Sequence, residues 1–249
     1  ESHVDNSIEN CNEFIKSNIL GVHHFFELIR VKNKRPIFYQ MSTDEVYGTA
    51  EEGINFKEGS RHNPGNPYSA SKSAQEAICR AYANTYGLPI IITNTMNVIG
   101  ERQHAEKFVP LVIRKCLSGE KVSIHSDKDK IKSGTRFYIH ARNAAKAVHF
   151  ILNTDERLDK FDASKGIFNI VGEKEIDNLS LAKMIAEMIG KPLIYEMTDY
   201  HSSRPGHDLR YSLDGEKLKQ IGFDYPKTLE QSLEKIIKWY LQNKKWIYL

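Results

Sequence analysis

Between Asp5 and Ile29 the apolar residues Ile8, Cys11, Phe14, Ile15, Ile19, Val22, Phe25, Phe26 and Ile29 recur three or four positions apart. That period predicts one long amphipathic helix, with Asp5 or Ser7 as its N-cap. Pro36 to Met41 is a short apolar run that ends in Ser42-Thr43-Asp44-Glu45. It reads as a buried strand delivering polar side chains at its C-terminal end, where open α/β sheets bind their ligands. Asn66 followed by Pro67 is an N-cap with proline at the first helical position, and it predicts a helix to about Tyr86 that stops at Gly87. Leu88 to Thr93 is the next buried strand. Beyond Asn97 the pattern loosens into loops and shorter elements, with helical segments near 107–117, 142–152 and 179–189. Thr228 and Gln231 form a capping box for a last helix that places Leu229, Leu233, Ile236, Ile237, Tyr240 and Leu241 on one face. The alternation of helix and strand predicts an α/β protein with a largely parallel sheet and a change of domain character near residue 97.

The 249 residues suffice for one substantial core or two small ones, and 40% are hydrophobic. A net charge of +3 does not favour an electrostatic grip on nucleic acid, though it allows a phosphate-rich small molecule. Lys128, Lys130 and Lys132 read as a solvated basic loop, since no aromatic residue is interleaved for base stacking. No apolar run is long enough to cross a bilayer, and the first residues lack the basic start and apolar stretch of a signal peptide. Cys11, Cys79 and Cys116 are odd in number and show no CxxC spacing, which fits a reducing compartment, the cytoplasm. No HExxH or His/Cys cluster announces a metal, and His23 and His24 point about 100° apart on a helix.

Tyr68 and Lys72 stand four residues apart just inside the Asn66-Pro67 helix, so both project from one face near its start. A tyrosine is a poor base at neutral pH, and lowering its pKa by about three units takes about 4 kcal/mol of preferential stabilisation of the phenolate. The Lys72 ammonium and a cationic nicotinamide ring would provide it together, although the YxxxK spacing alone also describes a surface pair. Thr43-Asp44-Glu45 lies at the end of the preceding predicted strand. Adjacent carboxylates in a regular strand point to opposite faces, so for both to reach one substrate the backbone must already be turning. Placed in one closed site they repel, which suits one to act as an acid while the other remains a base.

With STDEVYG at 42–48 and NPYSASK at 66–72, joined by ESHVD, YGLP, EKFVP, FNIVG and RPGHDLRY elsewhere, the sequence resembles the nucleotide-sugar 4,6-dehydratases among the extended short-chain dehydrogenase/reductases. The resemblance spans nearly the whole chain. It implies a Rossmann-like doubly wound parallel sheet with a smaller α/β substrate-binding domain. Residues 1–96 would then be what remains of the NAD-binding part, with the catalytic residues, and 97–249 mainly the sugar-nucleotide part, interwoven with returning Rossmann elements. It implies NAD as cofactor and an internal redox cycle on a nucleotide-linked glucose. Tyr68, assisted by Thr43 and Lys72, would remove the C4 hydroxyl proton; Glu45 would take the C5 proton and Asp44 would protonate the departing C6 hydroxyl. Ser2, Ser17 and Val98 match family positions near the nicotinamide end of the cofactor. Asn97, Lys107, Phe108, Arg136, Asn169, Arg204 and His207 match positions around the sugar, diphosphate and nucleoside, where the guanidinium groups of Arg136 and Arg204 suit paired oxygens. Subunits of the family pair through two helices each, which implies a homodimer built on 5–29 and 66–86.

The sequence departs from the family pattern in specific places. The glycine-rich turn GxxGxxG, which brings a helix N-terminus to the pyrophosphate of NAD, does not occur. ESHVD matches a segment that normally follows several βα units, so on the order of 80 residues are expected upstream of it. Ser123 and His125 stand where the family commonly frames the nucleobase with Pro and Tyr. The resemblance of RPGHD at 204–208 implies dTDP-glucose as the favoured substrate, with UDP-glucose as the alternative. A 4-epimerase or decarboxylase would need Tyr68 and Lys72 without Glu45, and a non-catalytic nucleotide-binding or assembly module would explain the missing turn.

Overall fold

A computed structural model of the chain describes residues 1–154, 166–199 and 209–248. They form two compact units: one comprises 1–95, 148–154, 166–170 and 209–223, the other 96–147, 171–199 and 224–248. The chain thus leaves the first unit after Thr95 and returns to it twice.

Where the sequence predicts one helix, the structure has four consecutive pieces. They are α1 (Val4–Glu9), α2 (Cys11–Phe14), a π-helical stretch (Ile15–Leu20) and α3 (Gly21–Arg30). Asn10 breaks the run at φ −144° and ψ 89°, its side chain accepting the Asn12 N–H and so restarting the helix as a cap. Neither Asp5 nor Ser7 is the N-cap of α1; His3 holds that place. The wider π turn changes the phase of the helix surface. Within it Asn18 is buried and donates to Ser71 Oγ at 2.9 Å.

Next come β1 (Phe38–Thr43), a 3-10 turn (Asp44–Tyr47), α4 (Pro67–Tyr86) and β2 (Ile90–Thr95). Both strands start two residues later than predicted, because neither Pro36 nor Pro89 has an N–H to give; pairing opens where the Phe38 N–H meets the Pro89 carbonyl at 2.8 Å. The capping box of Asn66 with Ser69 starts α4, and Gly87 ends it in the left-handed region at φ +62°. The chain continues through β3 (Val98–Ile99), α5 (Phe108–Ser118), β4 (Val122–Ser126), β5 (Thr135–Phe137), β6 (Ile139–His140) and α6 (Ala141–Asn153). It then forms β7 (Ile167–Ile170), β8 (Glu175–Asp177), α7 (Asn178–Ile189), β9 (Tyr195–Asp199), α8 (Glu216–Gln220) and α9 (Leu229–Gln242). The stretch after Asn97 is therefore richer in strands than its loose pattern suggests.

In the first unit β1, β2 and β7 form a parallel sheet in the order β1-β2-β7, with Thr43 level with Thr95 and Thr95 level with Ile170. Parallel strands place all three C-terminal ends on one edge of the sheet. Val22 and Phe26 of α3 and Cys79 and Ala83 of α4 cover one face, packing on Ile90, Ile92 and Ile167. Phe26 has no exposed surface, a burial worth about 2–3 kcal/mol.

The second unit has two parallel strand pairs, β3 with β6 and β4 with β9, and an antiparallel pair of β5 with β8. Its core joins Val112 and Ile113 of α5, Leu181 and Ile185 of α7, and Leu233 and Ile236 of α9. The predicted capping box of Thr228 and Gln231 starts α9. Among the described residues no helix is long and apolar enough to cross a membrane.

Candidate active site

β1 delivers its polar residues as a turn. Thr43 ends the strand in extended geometry, and its hydroxyl accepts the Glu45 N–H at 3.4 Å, capping the 3-10 turn that follows. That turn is the departure from strand geometry that two usable neighbouring carboxylates require. Gly48 closes it at φ +77°, its N–H reaching the Glu45 carbonyl at 3.2 Å. Thr43 Oγ1 also donates to Asp44 Oδ1 at 3.0 Å, and Asp44 is buried while Glu45 is half-buried.

The first turn of α4 brings Tyr68 to the same place. Its phenol hydrogen-bonds Thr43, and the negative charges of Glu45 and Asp44 act on it. The ring packs edge-on against Phe14 at 6.3 Å, and the Tyr68 N–H, unsatisfied within the helix, donates to Ser7 Oγ at 3.1 Å. Ser7 is thus a fastening for the start of α4. Thr43, Asp44, Glu45 and Tyr68 are brought together at the C-terminal edge of the sheet.

Lys72 is held by β1 and by its own helix. Its ammonium donates to the Met41 carbonyl at 2.7 Å and to Gln75 Oε1 at 2.6 Å. It is not among the groups that shift Tyr68. Burial pushes the phenol well above its ordinary value, Glu45 adds to that, the Thr43 hydrogen bond opposes it and Asp44 adds a little more. In the chain alone these groups raise the Tyr68 pKa, whereas the lowering in the sequence argument is assigned to Lys72 together with a cationic nicotinamide ring. Burial also lowers the Lys72 ammonium to about 8, against the pull of Glu76.

Behind these residues lies a polar network that the motifs do not announce. Glu76 has no exposed surface and accepts from Ser42 Oγ, from Asn94 Nδ2 at 2.7 Å and from Arg80 Nη2 at 3.1 Å. Asn94 also donates to the Thr43 carbonyl at 3.3 Å, and Gln75 receives Gln40 Nε2 at 2.8 Å. The network joins the ends of β1 and β2 to α4 directly under the acid pair. Its sequence signal is spacing: Tyr68, Lys72 and Glu76 follow at i, i+4 and i+8, one stripe of the helix.

The remaining expected residues are distributed as follows. Ser2 and Ser17 are exposed in the first unit, Ser17 donating to the Glu13 carbonyl at 2.8 Å. Asn169 is fully buried, and its amide hydrogens go to the carbonyls of Phe56 at 2.9 Å and Asp214 at 3.0 Å, so it ties two backbone segments.

In the second unit Asn97 is exposed, and Val98 pairs with Ile139 in β3. Lys107 is the N-cap residue of α5, and Phe108 is its half-buried first residue. Ser123 and His125 share a face of β4, Ser123 Oγ lying 2.6 Å from Thr198 Oγ1. Arg136 is buried in β5 and donates to the Thr135 carbonyl at 2.6 Å. Arg204 and His207 lie outside the described residues. Among the described residues no group of His, Cys, Asp and Glu is arranged to hold a metal ion.

Comparison with known proteins gives the same reading over both units. The family model described as GDP-mannose 4,6 dehydratase matches residues 1–236. The dTDP-glucose 4,6-dehydratase of Haemophilus influenzae is 36% identical over 262 residues, which span 98% of this chain and 74% of that protein. The trifunctional UDP-glucose 4,6-dehydratase/UDP-4-keto-6-deoxy-D-glucose 3,5-epimerase/UDP-4-keto-L-rhamnose-reductase RHM2 of Arabidopsis thaliana is 35% identical over 99% of this chain and 35% of that protein. Among solved structures, DesIV, the dTDP-glucose 4,6-dehydratase of Streptomyces venezuelae with NAD and TYD bound, superposes with a TM-score of 0.84 at 29% identity, covering 99% of this chain and 72% of that one. With an acid pair and a tyrosine at the edge of a parallel sheet, and a family match from the first residue to the last helix, the chain belongs to the GDP-mannose 4,6-dehydratase family, the nucleotide-sugar 4,6-dehydratases of the extended short-chain dehydrogenase/reductases.

Proposed function

We propose that the protein dehydrates a nucleotide-linked glucose, dTDP-glucose in preference to UDP-glucose, to the 4-keto-6-deoxy sugar nucleotide with NAD as cofactor. The observation that carries this reading is the clustering of Asp44, Glu45, Thr43 and Tyr68 on one edge of the sheet. A redox-only enzyme has no use for the two carboxylates, whereas removal of water across C5 and C6 needs one acid and one base.

The residues present fit the nicotinamide end of NAD. Tyr68 and Lys72 stand on one face of α4, and two of the three ammonium hydrogens of Lys72 are used within the protein, leaving one donor for a ribose hydroxyl. Ser2, Ser17 and Val98 are the further positions assigned to that end. When bound, NAD supplies the oxidation at C4 and the reduction at C6. Tyr68 takes the C4 hydroxyl proton, with the Thr43 hydroxyl holding the phenol in place, once the Lys72 ammonium and the cationic nicotinamide ring together offset the burial that raises its pKa. The C4 ketone acidifies the neighbouring C5–H, and Glu45 removes that proton and returns it to C5 when C6 is reduced. Asp44 gives its proton to the C6 hydroxyl, which leaves as water. Asn97, Lys107, Phe108, Ser123, His125 and Arg136 are assigned to the sugar nucleotide.

The dTDP preference rests on the RPGHD segment at 204–208, which resembles the bacterial dTDP-glucose enzymes, and on the match to such an enzyme in Haemophilus influenzae. The similarity to RHM2 speaks for UDP-glucose. A single methyl distinguishes the bases, worth about 1–3 kcal/mol in an apolar pocket, so competition assays should give a kcat/KM ratio above unity for dTDP-glucose. A ratio below unity reverses the assignment.

The test of the reaction is mass-spectrometric detection of the loss of one water from dTDP-glucose or UDP-glucose, with Glu45→Gln as the control. A dehydratase loses turnover in that variant while still reducing NAD on substrate, and an epimerase or decarboxylase is little affected. Calorimetric titration that finds dTDP or UDP binding without NAD binding would instead support a non-catalytic module. We also infer a cytoplasmic homodimer through 5–29 and 66–86, supported by exposed Ile8, Ile15, Leu20, Phe25 and Leu28 on the first helical region. Sedimentation showing only monomer at micromolar concentration would overturn the dimer.

A further inference from the structure

We propose that Asn66 is a positioning residue for the Glu45 carboxylate, one amide fixing both the start of α4 and the proposed base. Asn66 is buried and uses both ends of its side chain. Oδ1 accepts the Ser69 N–H at 2.9 Å, closing the capping box, while Nδ2 donates to Glu45 Oε2 at 3.2 Å. Turning the amide over would point its oxygen at a carboxylate and its NH2 at a backbone donor, so the two contacts fix one orientation. Ser, Thr and Asp also cap helices. The amide offers an acceptor to the helix and a donor to a carboxylate from two separate atoms, a span that the single oxygen of Ser or Thr does not have. The same residue thereby sets the distance between the acid pair and Tyr68, two positions further along α4.

The electrostatic consequence follows from the described groups beside Glu45. Asp44 lies next to it on its own turn, and the Tyr68 phenol reaches the cluster from α4. A neighbouring negative charge disfavours ionisation of Glu45, and a donated hydrogen bond favours it. The Asn66 Nδ2 hydrogen bond therefore helps keep Glu45 ionised, as a base must be. This inference rests on Glu45 being the C5 base.

Asn66→Asp and Asn66→Ser separate positioning from capping, since both keep a capping oxygen. Asp turns a carboxylate toward Glu45; Ser keeps a capping hydroxyl but loses the amide nitrogen that reaches Glu45. In the full chain labelled with 13C-carboxyl glutamate, with the Glu45 signal assigned from Glu45→Gln, the Glu45 pKa should rise by about one unit or more in Asn66→Asp and by less in Asn66→Ser. The acidic limb of the kcat profile should move to higher pH by the same amounts, a loss of about tenfold per unit on that limb, with thermal midpoints close to the parent's. A residue that only capped the helix would change the midpoints and leave the limb in place. Unmoved Glu45 titration in both variants, with Glu45→Gln inactive, overturns this inference alone; full activity of Glu45→Gln overturns the assignment of the base and the inference with it.

Discussion

Replacing Glu76 by glutamine removes one charge from a carboxylate that has no exposed surface and three hydrogen-bond donors. The amide oxygen can take the place of Oε1 and still accept from Ser42 and Asn94, but two charge-assisted bonds become neutral ones, a loss of about 2 kcal/mol in all. The amide nitrogen then meets Arg80 Nη2, donor against donor. Arg80 is 36% exposed and can turn to water, so loss of this pair adds only about 1 kcal/mol. The sum, about 3 kcal/mol, corresponds to a fall in Tm of about 6–12 °C for a chain of this size. Glu76→Ala should cost more, about 4–5 kcal/mol, since it leaves the Ser42 and Asn94 donors buried beside a cavity. Urea unfolding followed by circular dichroism checks both values. A Glu76→Gln chain within about 1 kcal/mol of the parent would show that the network under the acid pair is not held by charge, and would refute the reasoning.

Two further predictions concern the same edge of the sheet. Lys72, held at about 8 in the folded chain against 10.5 as its ordinary value, keeps its proton longer in the unfolded state, so its contribution to stability rises with pH between those values. The stability of the parent relative to Lys72→Met should accordingly improve from about pH 8 to about 10.5 in urea titrations, and a pH-independent difference would contradict the assignment. Gly48→Ala would set a Cβ 2.3 Å from the Asn63 carbonyl oxygen at a φ of +77°. It should destabilise the chain by at least about 1–3 kcal/mol of backbone strain, and an unchanged thermal midpoint would refute the close approach.

The sequence by itself determined whatever depends on neighbours along the chain. The caps Asn66 and Thr228, the stop at Gly87 and the turn beginning at Asp44 are each set by local hydrogen bonding or backbone geometry, and the two strand runs by their apolar pattern, so each could be read from a few residues. The acid pair and Tyr68 were legible for the same reason, as motifs at the ends of readable elements. Asn10 is the local feature that was passed over: within an apolar helical period its side chain competes for the backbone and breaks the helix. The tertiary structure alone decided which polar side chains meet. Ser7 reaches the Tyr68 N–H across 61 positions, Asn94 reaches Glu76 across 18, and Asn169 closes on Phe56 and Asp214. The direction in which the chain alone shifts the Tyr68 phenol was decided there too, because burial and the nearby carboxylates raise its pKa against the Thr43 hydrogen bond. A sequence shows which groups could ionise or bond, but desolvation and through-space partners exist only once the chain has folded.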